Sequence, residues 1–261
     1  MYRDLNPDEM EFSAYNFAHD EDGYNHEYYK LKFLERQGRL PQYLIVGVDY
    51  FMFSELTTSR ALRYSSFLGP EFFKDYQGPQ FNLDSRFNTL MSVTFTNTFP
   101  DFIRITARKL RRRDAEPAFT LRPNGQYVVR PAPVDSRQLI QNFSRSTLRR
   151  DAKRLNIQES YLEKFLTCSM ENSIKVFLVM PPSTSFERNT YDQRALADSE
   201  AYLQSQVQPG VDYLNYFRDE RFQLTDFADT THLNSEAADR FSRIVGDEIR
   251  QKLGRDRHEA L

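Results

Sequence analysis

The chain is poor in several things, and each shortage closes a class of function. It has one cysteine in 261 residues, Cys168, so no disulfide can form within it. Cys168 lies in the apolar run Tyr161-Leu-Glu-Lys-Phe-Leu-Thr-Cys168, where a small buried side chain is expected rather than a reactive thiol. No stretch reaches the roughly 18 apolar residues that a transmembrane helix needs, and Met1-Tyr-Arg-Asp4 is polar from the start, so no signal peptide is visible. Charge of one sign is also lacking. Lys plus Arg number 35 and Asp plus Glu number 37, a formal net charge of -2, so no overall field recruits nucleic acid. Glycine is scarce, with 9 residues, and no Gly-x-Ser triplet occurs anywhere. What is present is enough for a sizeable core: 39% of residues are hydrophobic and 14% aromatic. A chain of this length can form one large α/β domain with an insertion, or two small domains.

Several segments read as strand followed by helix. Tyr15-Asn-Phe17 is a short candidate strand. Asn25 is placed to cap a helix running to about Gln37, with Tyr28, Leu31 and Leu34 on one face and Gly38 closing it. Tyr43-Leu-Ile-Val-Gly-Val48 is nearly continuous in apolar residues, as expected of a buried parallel strand. Ser160 to Met170 reads as a helix. Ile174-Lys-Val-Phe-Leu-Val-Met180 is the strongest strand pattern in the chain, stopped by Pro181-Pro182. Leu196 to Val207 reads as a helix and Val211 to Tyr216 as a last strand. This alternation predicts an open parallel sheet with helices on both faces.

Residues 56–150 break the rhythm and read as a largely helical insertion covering the site edge. The chain then divides into an N-terminal part of an α/β domain at 1–55, the insertion at 56–150, and a C-terminal part at 151–261. Within the insertion, Phe99 to Arg113 is aromatic, basic and helical in pattern, and Tyr127-Val-Val-Arg130 behind Asn124-Gly125 suggests one arm of a hairpin. The basic run Arg108 to Arg113 has three readings: a solvated helix end, a contact with an anionic polymer or membrane surface, and a nucleic-acid contact. The last is disfavoured by the overall charge.

The most informative stretch is Asp226-Phe-Ala-Asp-Thr-Thr-His-Leu-Asn234. It sets Asp229 three residues ahead of His232, just before an amphipathic run with Asn234 or Ser235 as N-cap and Ala238, Phe241, Val245 and Ile249 on one face. A hydroxyl nucleophile needs a His to take its proton and a carboxylate to fix the imidazole tautomer. A tight Asp-x-x-His turn can present both. The bland alternative is a turn aspartate followed by an unrelated histidine.

Here the chain resembles the SGNH (GDSL-like) hydrolase superfamily, and within it the cell-envelope branch that includes the alginate O-acetyltransferase type and the D-alanine-transfer type of lipoteichoic acid. The last block of those proteins reads roughly D-x-x-H-L-N-x-x-G-A. In this chain it reads Asp229-Thr-Thr-His232-Leu233-Asn234-Ser-Glu-Ala237-Ala238, with Ala237 in the place of the family glycine. The resemblance implies a flavodoxin-like, three-layer open parallel sheet. It implies an acyl-ester hydrolase or O-acyltransferase of envelope glycan metabolism acting on a glycan or an acyl carrier, with His232 and Asp229 as catalytic partners and no cofactor or metal. Met1 to Pro7 resembles the part just after the family's nucleophile serine, so that serine is expected ahead of Met1, and the chain as it stands is expected to be inactive. Extracytoplasmic placement follows if an anchor lies upstream; as written, the cytoplasm stays open.

The family takes oxyanion donors from the nucleophile's own N–H, a second-block glycine and a third-block asparagine. Gly23 is the candidate second-block donor, with a turn glycine as the equal alternative. Asp49 stands where the third-block motif is expected and cannot donate when ionised. Ser54, Ser183 and Ser185 lie near strand ends without the family context and read as loop serines. His19 and His26 share a polar loop with Asp20, Glu21 and Asp22, where solvated side chains are expected rather than a metal site. The non-enzyme alternative is a non-catalytic SGNH-like relic or binding module that uses the inserted region to hold an anionic polymer, a membrane surface or a protein partner.

Overall fold

A computed structural model describes residues 15–18, 23–50, 71–72, 119–121, 127–129, 152–228 and 231–259. The sheet is built from the three runs of apolar residues: β1 (Tyr43–Gly47), β4 (Lys175–Met180) and β5 (Val211–Asn215), in the order β1-β4-β5. Both pairings are parallel, with Ile45 opposite Phe177 and Leu178 opposite Tyr213. β4 is central, and five of its six residues are buried, as a strand covered on both faces requires. β1 is an edge among the described residues, and its Ile45 is 40% exposed.

Each face of the sheet has its own core. Val176, Leu178 and Met180 pack with α1 (Tyr24–Arg36), α2 (Ala152–Glu171) and α4 (Gln193–Ser205), through Leu31, Leu162, Phe165, Leu166, Leu196 and Leu203. Phe177 and Val179 point the other way, against Ala237, Phe241, Val245 and Ile249 of α5 (Ser235–Glu259). The alternation of strand side chains between faces separates the two cores. The molecule is therefore a mixed α/β structure with a small parallel sheet and helices on both faces. Cys168 is buried on α2, and burial pushes its thiol pKa up, as expected of an inert cysteine.

The connections are short and locally determined. Gly38, at φ 63°, ends α1, and the Arg39 N–H closes back on the Leu34 carbonyl at 3.0 Å. Asp192 caps α4, accepting the N–H groups of Arg194 and Ala195 at 2.9 Å. Gly210, at φ 89°, turns the chain into β5. A separate antiparallel pair, β2 (Phe119–Leu121) and β3 (Tyr127–Val129), forms the hairpin arm expected around Tyr127. The basic run Arg108 to Arg113, and nearly all of the 56–150 segment, lie outside the described residues. Among the described residues no helix is long and apolar enough to cross a membrane.

Four sequence expectations need correction. Tyr15-Asn-Phe17 is not a strand: it pairs with no described strand and instead brings Phe17 to Phe33 of α1, with ring centroids 6.5 Å apart. An aromatic triplet satisfies a strand pattern, but here its apolar surface goes to a helix. The cap of α1 is Gly23 rather than Asn25, which is buried in the first turn. The expected Tyr28-Leu31-Leu34 face holds in part, with Leu31 buried and Tyr28 packed on the core, but the most buried residues, Tyr24, Asn25, His26, Tyr29, Lys30 and Leu31, lie toward the amino half of the helix, where α2 packs. His26 is consequently no solvated loop residue: it is 1% exposed, its ring tilted against that of Phe72 with centroids 4.9 Å apart.

Candidate active site at the carboxyl edge of the sheet

The parallel strands all end on one edge, and their exits converge. After β1 come Val48, Asp49 and Tyr50; after β4 come Pro181, Pro182 and Ser183; after β5 come Tyr216 and Phe217. The Ser183 N–H donates to the Phe217 carbonyl at 3.2 Å, tying the second exit to the third. Tyr50, Tyr191 and Phe217 pack edge to face beneath them, the Tyr50 and Phe217 centroids 4.7 Å apart. The amino end of α1 belongs to this edge as well. α1 runs back to the start of β1 through a short turn, so its first residues lie toward the carboxyl end of β1. Burial chiefly, and then the charge of Asp49, push the Tyr24 hydroxyl pKa well up, which places that charge near the helix start.

At the centre of this edge is Glu187, on the short helix α3 (Ser185–Thr190). Thr184 caps α3 by accepting the Glu187 N–H at 3.1 Å. The Glu187 side chain is only 6% exposed. Ser183 Oγ donates to its Oε2 at 2.6 Å, and Tyr191 Oη lies 3.2 Å from its Oε1. The same Tyr191 hydroxyl lies 3.4 Å from Asp49 Oδ1. Burial is the main reason the Glu187 carboxyl is pushed up to about 7; the Asp49 charge adds to the rise, while the bonds from Ser183 and Tyr191 and the charge of His232 pull against it. Burial, followed by the charges of Asp49 and Glu187, also drives the Tyr191 phenol far up. Arg188 donates from Nη1 to the carbonyls of Ser183 and Phe217.

The Asp-x-x-His loop joins this edge from the β5 side. A 3-10 turn at Leu224–Asp226 leads into a bridge between Phe227 and Leu233, and the Ala228 N–H donates to the His232 carbonyl at 2.8 Å. Asn234 fastens the loop at its far end. Its N–H reaches the Asp226 carbonyl at 2.8 Å, Nδ2 reaches the Thr225 carbonyl at 3.0 Å, and Oδ1 caps α5 through the Ala237 N–H at 2.9 Å. His232 is exposed, with Nδ1 3.0 Å from Thr231 Oγ1. It lies on the connection between the carboxyl end of β5 and the start of α5, which puts it on the carboxyl side of the sheet. Asp229 lies outside the described residues.

Asn234→Ala removes a cap and a loop tether together. We expect a loss of about 1–2 kcal/mol in urea unfolding. Asn234→Asp keeps the Ala237 acceptor without the Thr225 donor, and should recover part of that loss.

The other sequence candidates are placed as follows. Gly23 is the buried N-cap of α1, and its N–H donates to His26 Nδ1 at 3.3 Å. A Cβ on Gly23 would lie 2.8 Å from Asn25 Oδ1 and 2.9 Å from Gln158 Nε2, so close packing accounts for the glycine. Ser183 is buried and bonded to Glu187; Ser185 is exposed at the start of α3; Ser54 lies outside the described residues. Among the described residues no group of His, Cys, Asp and Glu is arranged to hold a metal ion. Sequence reasoning missed Glu187. The available signal was Thr184-Ser-Phe-Glu187, a capping-box pattern directly behind a buried strand and two prolines.

A model of an uncharacterised protein family matches residues 137–254, which include β4, α3, α4, β5 and the Asp-x-x-His loop. No curated protein and no solved structure matches the chain.

Proposed function

We propose that this chain carries the acid–base half of an SGNH-like acyl-ester site, in a hydrolase or O-acyltransferase of cell-envelope glycans or their acyl carriers. In this reading the sheet is part of a flavodoxin-like arrangement. His232 is the general base toward a serine hydroxyl, and Asp229 orients its imidazole and stabilises the imidazolium. One observation carries the reading: His232 lies on the connection from the carboxyl end of the last parallel strand to the start of the helix that closes the opposite face. Ligands of open α/β sheets sit at the carboxyl edge.

Ser183 does not fill the nucleophile's role in this reading, because its hydroxyl proton is committed to Glu187 at 2.6 Å. The hydroxyl that His232 activates is supplied from outside the described residues. The insertion, with its basic run Arg108 to Arg113, is a surface for the anionic polymer or membrane that presents the substrate.

The test uses a fluorophosphonate, which labels activated serines covalently, on the 261-residue chain and on a version extended with the in-frame sequence upstream of Met1. The extended protein should be labelled and should hydrolyse a small acetyl ester. His232→Ala should lower that rate by about four to six orders of magnitude, as removal of a triad base does. Labelling of the 261-residue chain that depends on His232 would keep the reading and place the nucleophile among its own serines. If neither protein is labelled or active on esters, the reading falls.

A further inference from the structure

The arrangement around Glu187 contains more than packing explains. A buried carboxyl joins the exit of β4, the helix α3 and, through one phenol, the exit of β1. The proton count is the informative part. The Tyr191 hydroxyl has one proton and stands 3.2 Å from Glu187 and 3.4 Å from Asp49. It cannot donate to both. A protonated Glu187 resolves this: its own proton goes to Tyr191 Oη, and Tyr191 donates onward to Asp49, while Ser183 still donates to Oε2. An ionised Glu187 can only accept, so the two carboxylates compete for a single proton across one phenol.

We propose that Glu187 is a proton-operated latch: holding its proton, it closes the chain Glu187–Tyr191–Asp49 that pins residues 183–191 across the carboxyl edge of the sheet, and losing it to solvent releases that segment beside His232. This inference does not depend on the acyl-ester reading.

The groups facing Glu187 come from each neighbouring element. Asp49 is on the β1 exit, Ser183 on the β4 exit, Tyr191 at the junction of α3 and α4, and His232 on the loop ahead of α5. Arg188, on the same helix, is occupied by two carbonyls. The segment is also held by the Thr184 cap, the Arg188 bonds, the Ser183 N–H on Phe217 and the ring contacts of Tyr191 with Tyr50 and Phe217. Losing the relay removes the hydrogen-bonded link from this segment to Asp49 at the β1 exit.

The direction with pH follows from linkage. An exposed glutamate titrates near ~4.3, whereas Glu187 in the closed form is pushed up to about 7. The latch is fully closed below the exposed value and loosens as pH rises through the folded value. The opening constant can rise up to about tenfold per pH unit within that window. A charged His232 imidazole pulls against Glu187's proton.

Amide hydrogen exchange, corrected for the intrinsic pH dependence, reads the latch in the full chain. Protection of peptides covering 183–191 should fall about tenfold or more between pH 5 and pH 7.5, while the β4 strand at 175–180 keeps its protection. Glu187→Gln mimics the neutral acid and leaves His232 in place, and it should abolish the fall. Asp49→Asn removes the competing carboxylate; it should shrink the fall and move its midpoint to lower pH. The proposal is overturned if the wild-type segment shows no such fall, if β4 loses protection in parallel, or if Asp49→Asn leaves both amplitude and midpoint unchanged. The last outcome decides the matter even if Glu187→Gln does not fold.

Discussion

Phe177→Ala should cost about 3–5 kcal/mol in urea or guanidinium unfolding, with little change in the denaturant slope. Phe177 is fully buried on the central strand. It belongs to the core that joins the sheet to α5, together with Val179, Leu214, Phe241, Val245 and Ile249. Neither backbone neighbour can close the gap, because β4 is bonded to β1 on one side and to β5 on the other. The cavity left behind therefore adds to the lost burial of the ring. Phe177→Leu keeps most of the volume and should lose far less. A loss below about 1 kcal/mol for the alanine variant would mean that α5 does not pack against this face. The site has a stake in the outcome, since α5 begins at Asn234 and anchors the far end of the Asp-x-x-His loop.

The three strands of the parallel sheet were legible because their signal is nearly local. A continuous run such as Val176-Phe-Leu-Val-Met180, ended by two prolines, can be covered on both faces and little else. The loop at Asp226 to Asn234 was legible for a related reason: Asn234 writes the helix start into the sequence, and the structure uses its side chain for that purpose. The start of α1 was misplaced by two residues because a third-party contact decides it. Asn25 has the composition of a cap, but Gln158, 134 residues away, takes the Tyr24 N–H at 3.0 Å and buries the whole turn. The burial of Glu187 was invisible for the same kind of reason. In Thr184-Ser-Phe-Glu-Arg188 an acid reads as a solvated first-turn charge. Only the meeting of three strand exits removes it from water. Periodicity carries no information about which exits will meet.

Gly23→Ala is the second large effect, and it separates packing from chemistry at a position with a claim to either. The backbone of Gly23, at φ -98°, suits any residue, so a substitution there meets no conformational penalty of its own. The obstacle is space. The added Cβ would stand 2.8 Å from Asn25 Oδ1 and 2.9 Å from Gln158 Nε2, and both of those side chains are buried. Gln158 is fully enclosed on α2 and cannot swing into solvent. Its displacement breaks the bond from the Tyr24 N–H at 3.0 Å and leaves a buried donor without its acceptor. Overpacking costs about 1–3 kcal/mol and the lost bond a similar amount, so the variant should be destabilised by roughly 2–4 kcal/mol. A double-mutant cycle isolates the clash. Gln158→Ala alone loses the bond; adding Gly23→Ala to it should cost much less than in the wild type, giving a coupling of about 1 kcal/mol or more. Strict additivity would show that Gln158 is not what confines residue 23.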